Sequence, residues 1–82
     1  MKPLSELSPG QEAFVTETRP TSSDDPIANR LQDLGFVPGE RVRLLSHGPF
    51  GADPLLVQIG FTRFALRRSE AARVWIEEAS HA

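Results

Sequence analysis

Cysteine and tyrosine are missing from this chain, and methionine and tryptophan occur once each. Without cysteine, neither a disulfide framework nor a thiolate metal site can support the core, so stability must come from packing or from a partner. Long apolar runs are also missing. None approaches the roughly 20 residues that cross a bilayer as a helix, and "MKPLSELSPG" lacks the apolar centre of a secretory leader. The chain is therefore expected in the cytosol. Blocks of positive charge are absent too: 9 Lys and Arg are interspersed with 11 Asp and Glu, for a formal net charge of -2. A dedicated nucleic-acid binder concentrates positive charge to displace counterions from phosphates, and this balance argues against one.

What is present suits one small folded domain. A chain of 82 residues buries roughly 60 to 65% of its unfolded surface, which leaves no room for a second core. Hydrophobic residues at 39% and charged residues at 24% fit a globular chain better than a disordered one. We read a single domain over residues 1–82, with a polar tail from about residue 78.

Turn chemistry and periodicity organise that domain. Pro9-Gly10 precedes a strand read over residues 11–18, and "RPTSSDDP" forms a polar loop after it. In "DDPIANRLQDLG", Asp25 suits the N-cap, Pro26 the first helical position and Gly35 the left-handed stop. Ile27, Leu31 and Leu34 form one apolar stripe, on a helix too short to stand unless docked on a sheet. Pro38-Gly39 predicts a type II turn into a strand at about residues 40–47, where Val42 and Leu44 alternate with Arg41 and Arg43. Leu55, Val57, Ile59 and Phe61 repeat with period two after the loop "GPFGADP". A turn near residues 60–63 leads to a third antiparallel strand with Phe64 and Leu66. Ser69 is read as the N-cap of a single helical turn, and "VWIEE" as the last strand. The fold class is mainly β: about five antiparallel strands in a small half-open barrel, with one short helix inserted after the first strand. "SPGQEAFV" and "VPGERVRL" use the same turn device twice, which two copies do not make into a repeat protein.

Chemical motifs are thin. There is no G-x-S-x-G elbow and no Walker motif, and the pairs Asp24-Asp25 and Glu77-Glu78 read as a helix cap and a solvated terminus. His47 and Asp53 flank a loop that could bring them together, but two ligands fall short of the three or four of a defined transition-metal site. They stand as the metal candidates, with His81 in the tail as an adventitious one, and no cofactor is expected. A nucleic-acid surface would have to use Arg41, Arg43, Arg63, Arg67, Arg68 and Arg73, with Phe50 or Phe64 for stacking, yet acids interleave with them. Bulky apolar groups are in surplus: Phe36, Phe50, Leu55, Phe61, Phe64 and Trp75 exceed what a barrel already filled by Val15, Val42, Leu44, Val57, Ile59, Leu66 and Val74 can hold. Surplus apolar surface on a small monomer marks a protein partner.

The order of these motifs resembles the FeoA family, small cytosolic components of bacterial ferrous iron transport. The resemblance spans "LSELSPGQEAFV", "IANRLQDLGFVPGERVRLL" and "DPLLVQIGFTRFALRRSEAARVWIE", with "RLQDLGFVPGERV" and "FALRRSEAARVWI" carrying most of it. It implies an SH3-like barrel without catalytic residues, acting by contact with the cytosolic region of the membrane permease FeoB and reaching the inner membrane face only through it. The same fold is expected as a C-terminal domain of metal-dependent repressors of the DtxR type, whose DNA-binding helices have no counterpart here. The interface we nominate is Leu31, Leu34 and Phe36 at the helix face and exit, with Phe50 and Leu55 of the hairpin. Weak self-association, a nucleic-acid-binding barrel and direct metal binding or sensing are the alternatives.

Overall fold

The computed structural model describes residues 1–49 and 53–79. Its strands are β1 (Lys2–Pro3), β2 (Glu12–Thr18), β3 (Arg41–His47), β4 (Leu55–Ile59), β5 (Thr62–Leu66) and β6 (Val74–Glu78). They form one antiparallel sheet in the order β1-β6-β2-β3-β4-β5. Two short helices are added, α1 (Pro26–Leu34) and α2 (Arg68–Ala71), and a 3-10 turn spans Leu4–Glu6. The expectation of about five strands is corrected to six. The extra strand is β1, two residues pairing with Ile76 and Trp75, too short to show any alternation in sequence. The two ends of the sheet do not pair with each other, so the barrel is unclosed.

Curvature comes from irregularities in the ladders. The register shifts between Val15 and Glu17 against β6, and between Leu44 and Ser46 against β4. An extra residue on one side of an antiparallel pair bends the strand and increases its twist, which curls a flat sheet around a core. Ala13, Val15, Val42, Leu44, Leu55, Val57, Leu66, Val74 and Ile76 point into that core, and Leu4 and Leu7 of the N-terminal segment complete it.

The repeated Pro-Gly device is a paired structural element. Ser8–Gln11 and Val37–Glu40 are both turns closed by a bond from the fourth residue's N–H to the first residue's carbonyl, at 3.0 and 3.1 Å, with Gly10 at φ 87° and Gly39 at φ 92°. Each turn then bonds to the strand that the other begins. Gly10 N–H donates to the Leu44 carbonyl and Leu44 N–H to the Gln11 carbonyl; Gly39 N–H donates to the Val15 carbonyl and Val15 N–H to the Glu40 carbonyl, all within 2.7–3.1 Å. The two turns and the ladder Glu12–Phe14 against Arg41–Arg43 are thus related by a local two-fold rotation.

The helix α1 follows its punctuation closely. Asp25 Oδ1 accepts from Ile27 N–H at 3.1 Å and Ala28 N–H at 3.3 Å, and Pro26 has no N–H to satisfy. At the other end Gly35 is left-handed, its N–H bonding the Gln32 carbonyl while Phe36 N–H bonds the Leu31 carbonyl at 3.0 Å. This pair of bonds is a Schellman stop, which brings the residue after the glycine against the helix's last inward residue. Phe36 and Leu31 are accordingly both buried.

Two boundaries differ from the sequence reading. The turn expected over residues 60–63 is only Gly60-Phe61, because Thr62 already pairs with Ile59. The N-cap of α2 is Arg67 rather than Ser69, because Glu70 Oε1 reaches back to accept from Arg67 N–H at 2.8 Å and starts the helix earlier.

A left-handed backbone strains any residue with a side chain, and Gly39 has open space where a Cβ would go, so the cost of Gly39→Ala is conformational alone. We expect it to destabilise by about 1–2 kcal/mol, read from urea unfolding; an unchanged midpoint would contradict the turn assignment.

Candidate docking surface

The exit of α1 is seated on the β4–β5 hairpin. A Cβ on Gly35 would lie 3.9 Å from Ile59 Cγ2, and the Phe36 and Phe64 rings meet at a 5.7 Å centroid distance and a 56° tilt. Ile27 and Leu34, two turns apart on α1, and Phe64 on β5 pack against the core while staying half-buried. Beyond them, Phe61 at the hairpin tip is fully exposed, at 104%. A two-residue hairpin with glycine at its first central position turns the second residue outward, and nothing in the core needs that phenyl group.

Of the five nominated interface residues, Leu31, Phe36 and Leu55 lie inside, at 1%, 0% and 0% exposure. This corrects their assignment to a partner-facing surface. The Schellman stop turns Phe36 under the helix, and period-two alternation carries Leu55 inward beside Leu66. Leu34 is half-buried and keeps surface available. Phe50 lies outside the described residues. Sequence reasoning counted Phe61 and Phe64 among the surplus bulky groups but did not nominate them for the interface, and it passed over Ile27 as a surface group. The signal for Phe61 was the Gly-Phe dipeptide itself, had the turn been limited to two residues.

The metal candidates differ in setting. His47 is exposed, while the Asp53 carboxylate accepts from Arg68 N–H at 3.1 Å. The chain pinches together there: a Cβ on Gly48 would come within 2.5 Å of the Asp53 and Pro54 carbonyl oxygens. Among the described residues no group of three or more His, Asp or Glu side chains is placed to hold a metal ion. His81 lies outside them.

The arginines divide by partner. Arg43 and Arg41 both reach the Glu12 carboxylate, the second at 3.5 Å, and Arg41 also covers the Phe14 ring at 5.3 Å. Arg19 pairs with Glu17 and stacks on Trp75 at 3.9 Å. Arg73 is drawn inward, its Nε donating to Asp25 Oδ2 at 2.7 Å and a terminal nitrogen to the Ser69 carbonyl at 2.7 Å. Half of the arginines proposed for a polyanion are therefore engaged by carboxylates, Arg41 and Arg43 sharing one, which weakens that alternative.

Asp25 is the most heavily bonded carboxylate described. Besides the two helix N–H groups, Oδ2 accepts from Thr21 N–H at 3.0 Å, Thr21 Oγ1 at 3.2 Å and Arg73. The Arg73 guanidinium first, then the Thr21 N–H, hold its carboxyl well below the usual carboxylate range, while burial pushes the other way. At the sheet edge, Lys2 lowers the Glu78 carboxyl across an ion pair of 2.5 Å.

A family model for the FeoA domain matches residues 2–78. This chain belongs to the FeoA family. No curated protein sequence matches it. Among solved structures, FeoA of Stenotrophomonas maltophilia in complex with zinc is similar at 52% identity and a TM-score of 0.87, over 94% of this chain and 91% of that one. It is described as an SH3-domain protein and a candidate activating factor of bacterial ferrous iron transport. FeoA of Chlorobium tepidum is similar at 32% identity and a TM-score of 0.80, over 95% of this chain and 70% of that one. A manganese-dependent transcriptional repressor shares the fold, at 19% identity and a TM-score of 0.80, with only 36% of its length covered. The FeoA fold therefore also occurs as part of a longer regulator. Within the FeoA-family sheet, Ile27, Leu34 and Phe64 are half-buried at the margin of the core, and Phe61, Met1 and Phe14 are the large apolar side chains left exposed among the described residues.

Two outcomes follow for the residues that are not surface. Leu31→Ala removes a fully buried side chain and is expected to cost about 2–5 kcal/mol, measured by chemical unfolding, so any loss of function in that variant reports folding. The Asp25 carboxyl is lowered in the folded state, so the stability it contributes is complete above about pH 4, its unfolded value, and is lost as pH falls further. The stability gap between the native chain and Asp25→Asn should accordingly be widest near neutrality and close below about pH 4; a gap independent of pH would contradict the ion pair.

Proposed function

We propose that this chain is a non-enzymatic accessory protein of ferrous iron transport that docks on the cytosolic region of the FeoB permease. It acts through binding free energy without a resident cofactor, in the cytoplasm and at the inner membrane face through its partner. Family membership supports the transport role. The observation that carries the docking role is the fully exposed Phe61 at the hairpin tip, together with the half-buried Ile27, Leu34 and Phe64 at the margin of the core. An exposed phenyl group on a rigid two-residue hairpin loses little conformational freedom on binding, which suits an anchor residue. No described helix is long and apolar enough to cross a membrane, so this reading assigns membrane contact to the permease.

The test is capture of the purified FeoB cytosolic region by the full chain and by Phe61→Ser and Leu34→Ser. Phe61→Ser should fold as the native chain does and weaken capture by about tenfold or more. No capture by the native chain well above micromolar concentration, or capture unchanged by both substitutions, would refute the proposal.

A further inference from the structure

One edge of the sheet is left open beside a group of unpaired arginines. Among the described residues, strand β5 pairs with β4 alone, in the register Ile59↔Thr62 through Leu55↔Leu66. Ile59 and Thr62 flank a two-residue turn, so they exchange the first closely spaced pair of ladder bonds. Alternation then directs the N–H and C=O groups of Thr62, Phe64 and Leu66 toward β4, and those of Arg63 and Ala65 away from the sheet. Both residues are exposed, and neither backbone bonds any other described residue. The guanidinium groups of Arg63, Arg67 and Arg68 have no carboxylate partner among the described residues, Arg68 giving one bond to the Ser5 carbonyl at 3.1 Å. On β3, by contrast, Arg41 and Arg43 share Glu12.

We infer that the free edge of β5 takes up an extended acidic peptide segment as an additional antiparallel or parallel strand. Arg63 and Ala65 offer it two outward donors and two outward acceptors, and the arginines at both ends of the strand attract its carboxylates. The alternation of donors and acceptors favours a peptide, whose backbone alternates them at the strand spacing, over a nucleic acid, whose phosphates offer acceptors alone. The inference deepens the docking reading by naming the kind of segment the partner presents.

The test uses the full 15N-labelled chain and an acetylated, amidated octapeptide of alternating Thr and Glu, followed by amide exchange. Exchange at Arg63 and Ala65 should slow by about tenfold at saturation, with Thr62, Phe64 and Leu66 unchanged. The matching Thr–Lys peptide should have no effect. Arg63→Glu combined with Arg67→Glu should weaken binding by about tenfold or more. Ala65→Pro removes an outward donor at an edge position where proline is tolerated and should abolish binding with the β4–β5 ladder intact. Shift changes without protection at Arg63 and Ala65 would show charge attraction only and overturn the inference. So would equal protection by a single-stranded oligonucleotide of the same charge. Capture of the FeoB region without peptide protection of these amides would overturn strand addition and leave docking standing; peptide protection without FeoB capture would do the reverse.

Discussion

The ion pair between Asp25 and Arg73 ties the start of the inserted helix to the segment that leads into β6. Taking a carboxylate and a guanidinium out of water is unfavourable, and it succeeds only where the remaining hydrogen-bonding capacity is used. Here it is used. Asp25 accepts from two helix N–H groups, from both donors of Thr21 and from Arg73, and no buried side-chain nitrogen or oxygen among the described residues lacks a partner. One carboxylate therefore caps α1, fixes the end of the polar loop and ties both to the segment between α2 and β6. A helix of nine residues cannot persist on its own propensity, so its position is set by this tether at one end and by the Schellman stop at the other.

Those two constraints decide what is left for a partner. Leu31 and Phe36 are consumed by seating the helix, and Leu55 by the sheet beneath it. Ile27, Leu34 and Phe64 lie at the rim of that contact, where packing covers only part of each side chain. The surface assigned to docking is thus the margin of the helix–sheet contact, extended by a phenyl group that the hairpin turns outward. Since the hairpin also ends in an unpaired edge, apolar and backbone recognition lie along one strand.

Much of this was legible in the residues themselves. Asp25, Pro26 and Gly35 mark α1 to the residue because capping depends on local backbone chemistry, and the alternation in β3 and β4 sorts inward from outward residues correctly. The short elements were not legible. Two residues of β1 carry no period, and the start of α2 depends on a glutamate reaching back three positions. The nominated docking residues suffered from a different gap. A surplus of bulky groups shows that some must be exposed, but which of Phe36, Leu55, Phe61 and Phe64 stays outside depends on how the helix exit meets the hairpin, a contact between segments more than twenty residues apart. The inward role of Arg73 was hidden for the same reason: Asp25 is 48 positions away.

The two-fold arrangement of the Pro-Gly turns also bears on how the chain tolerates change in length. Val15 and Glu40 are bonded to each other across the β2–β3 pair, so everything between them, including the polar loop and α1, is a loop whose ends are already closed by the clasp. Lengthening such a loop costs only about (3/2)RT times the logarithm of the length ratio in chain entropy. Extra residues between Ser22 and Asp24, which leave Thr21 and Asp25 in place as the loop's two ends, should therefore be accommodated at little cost, whereas a single insertion between Gly10 and Val15 would break the clasp at both of its symmetric halves together.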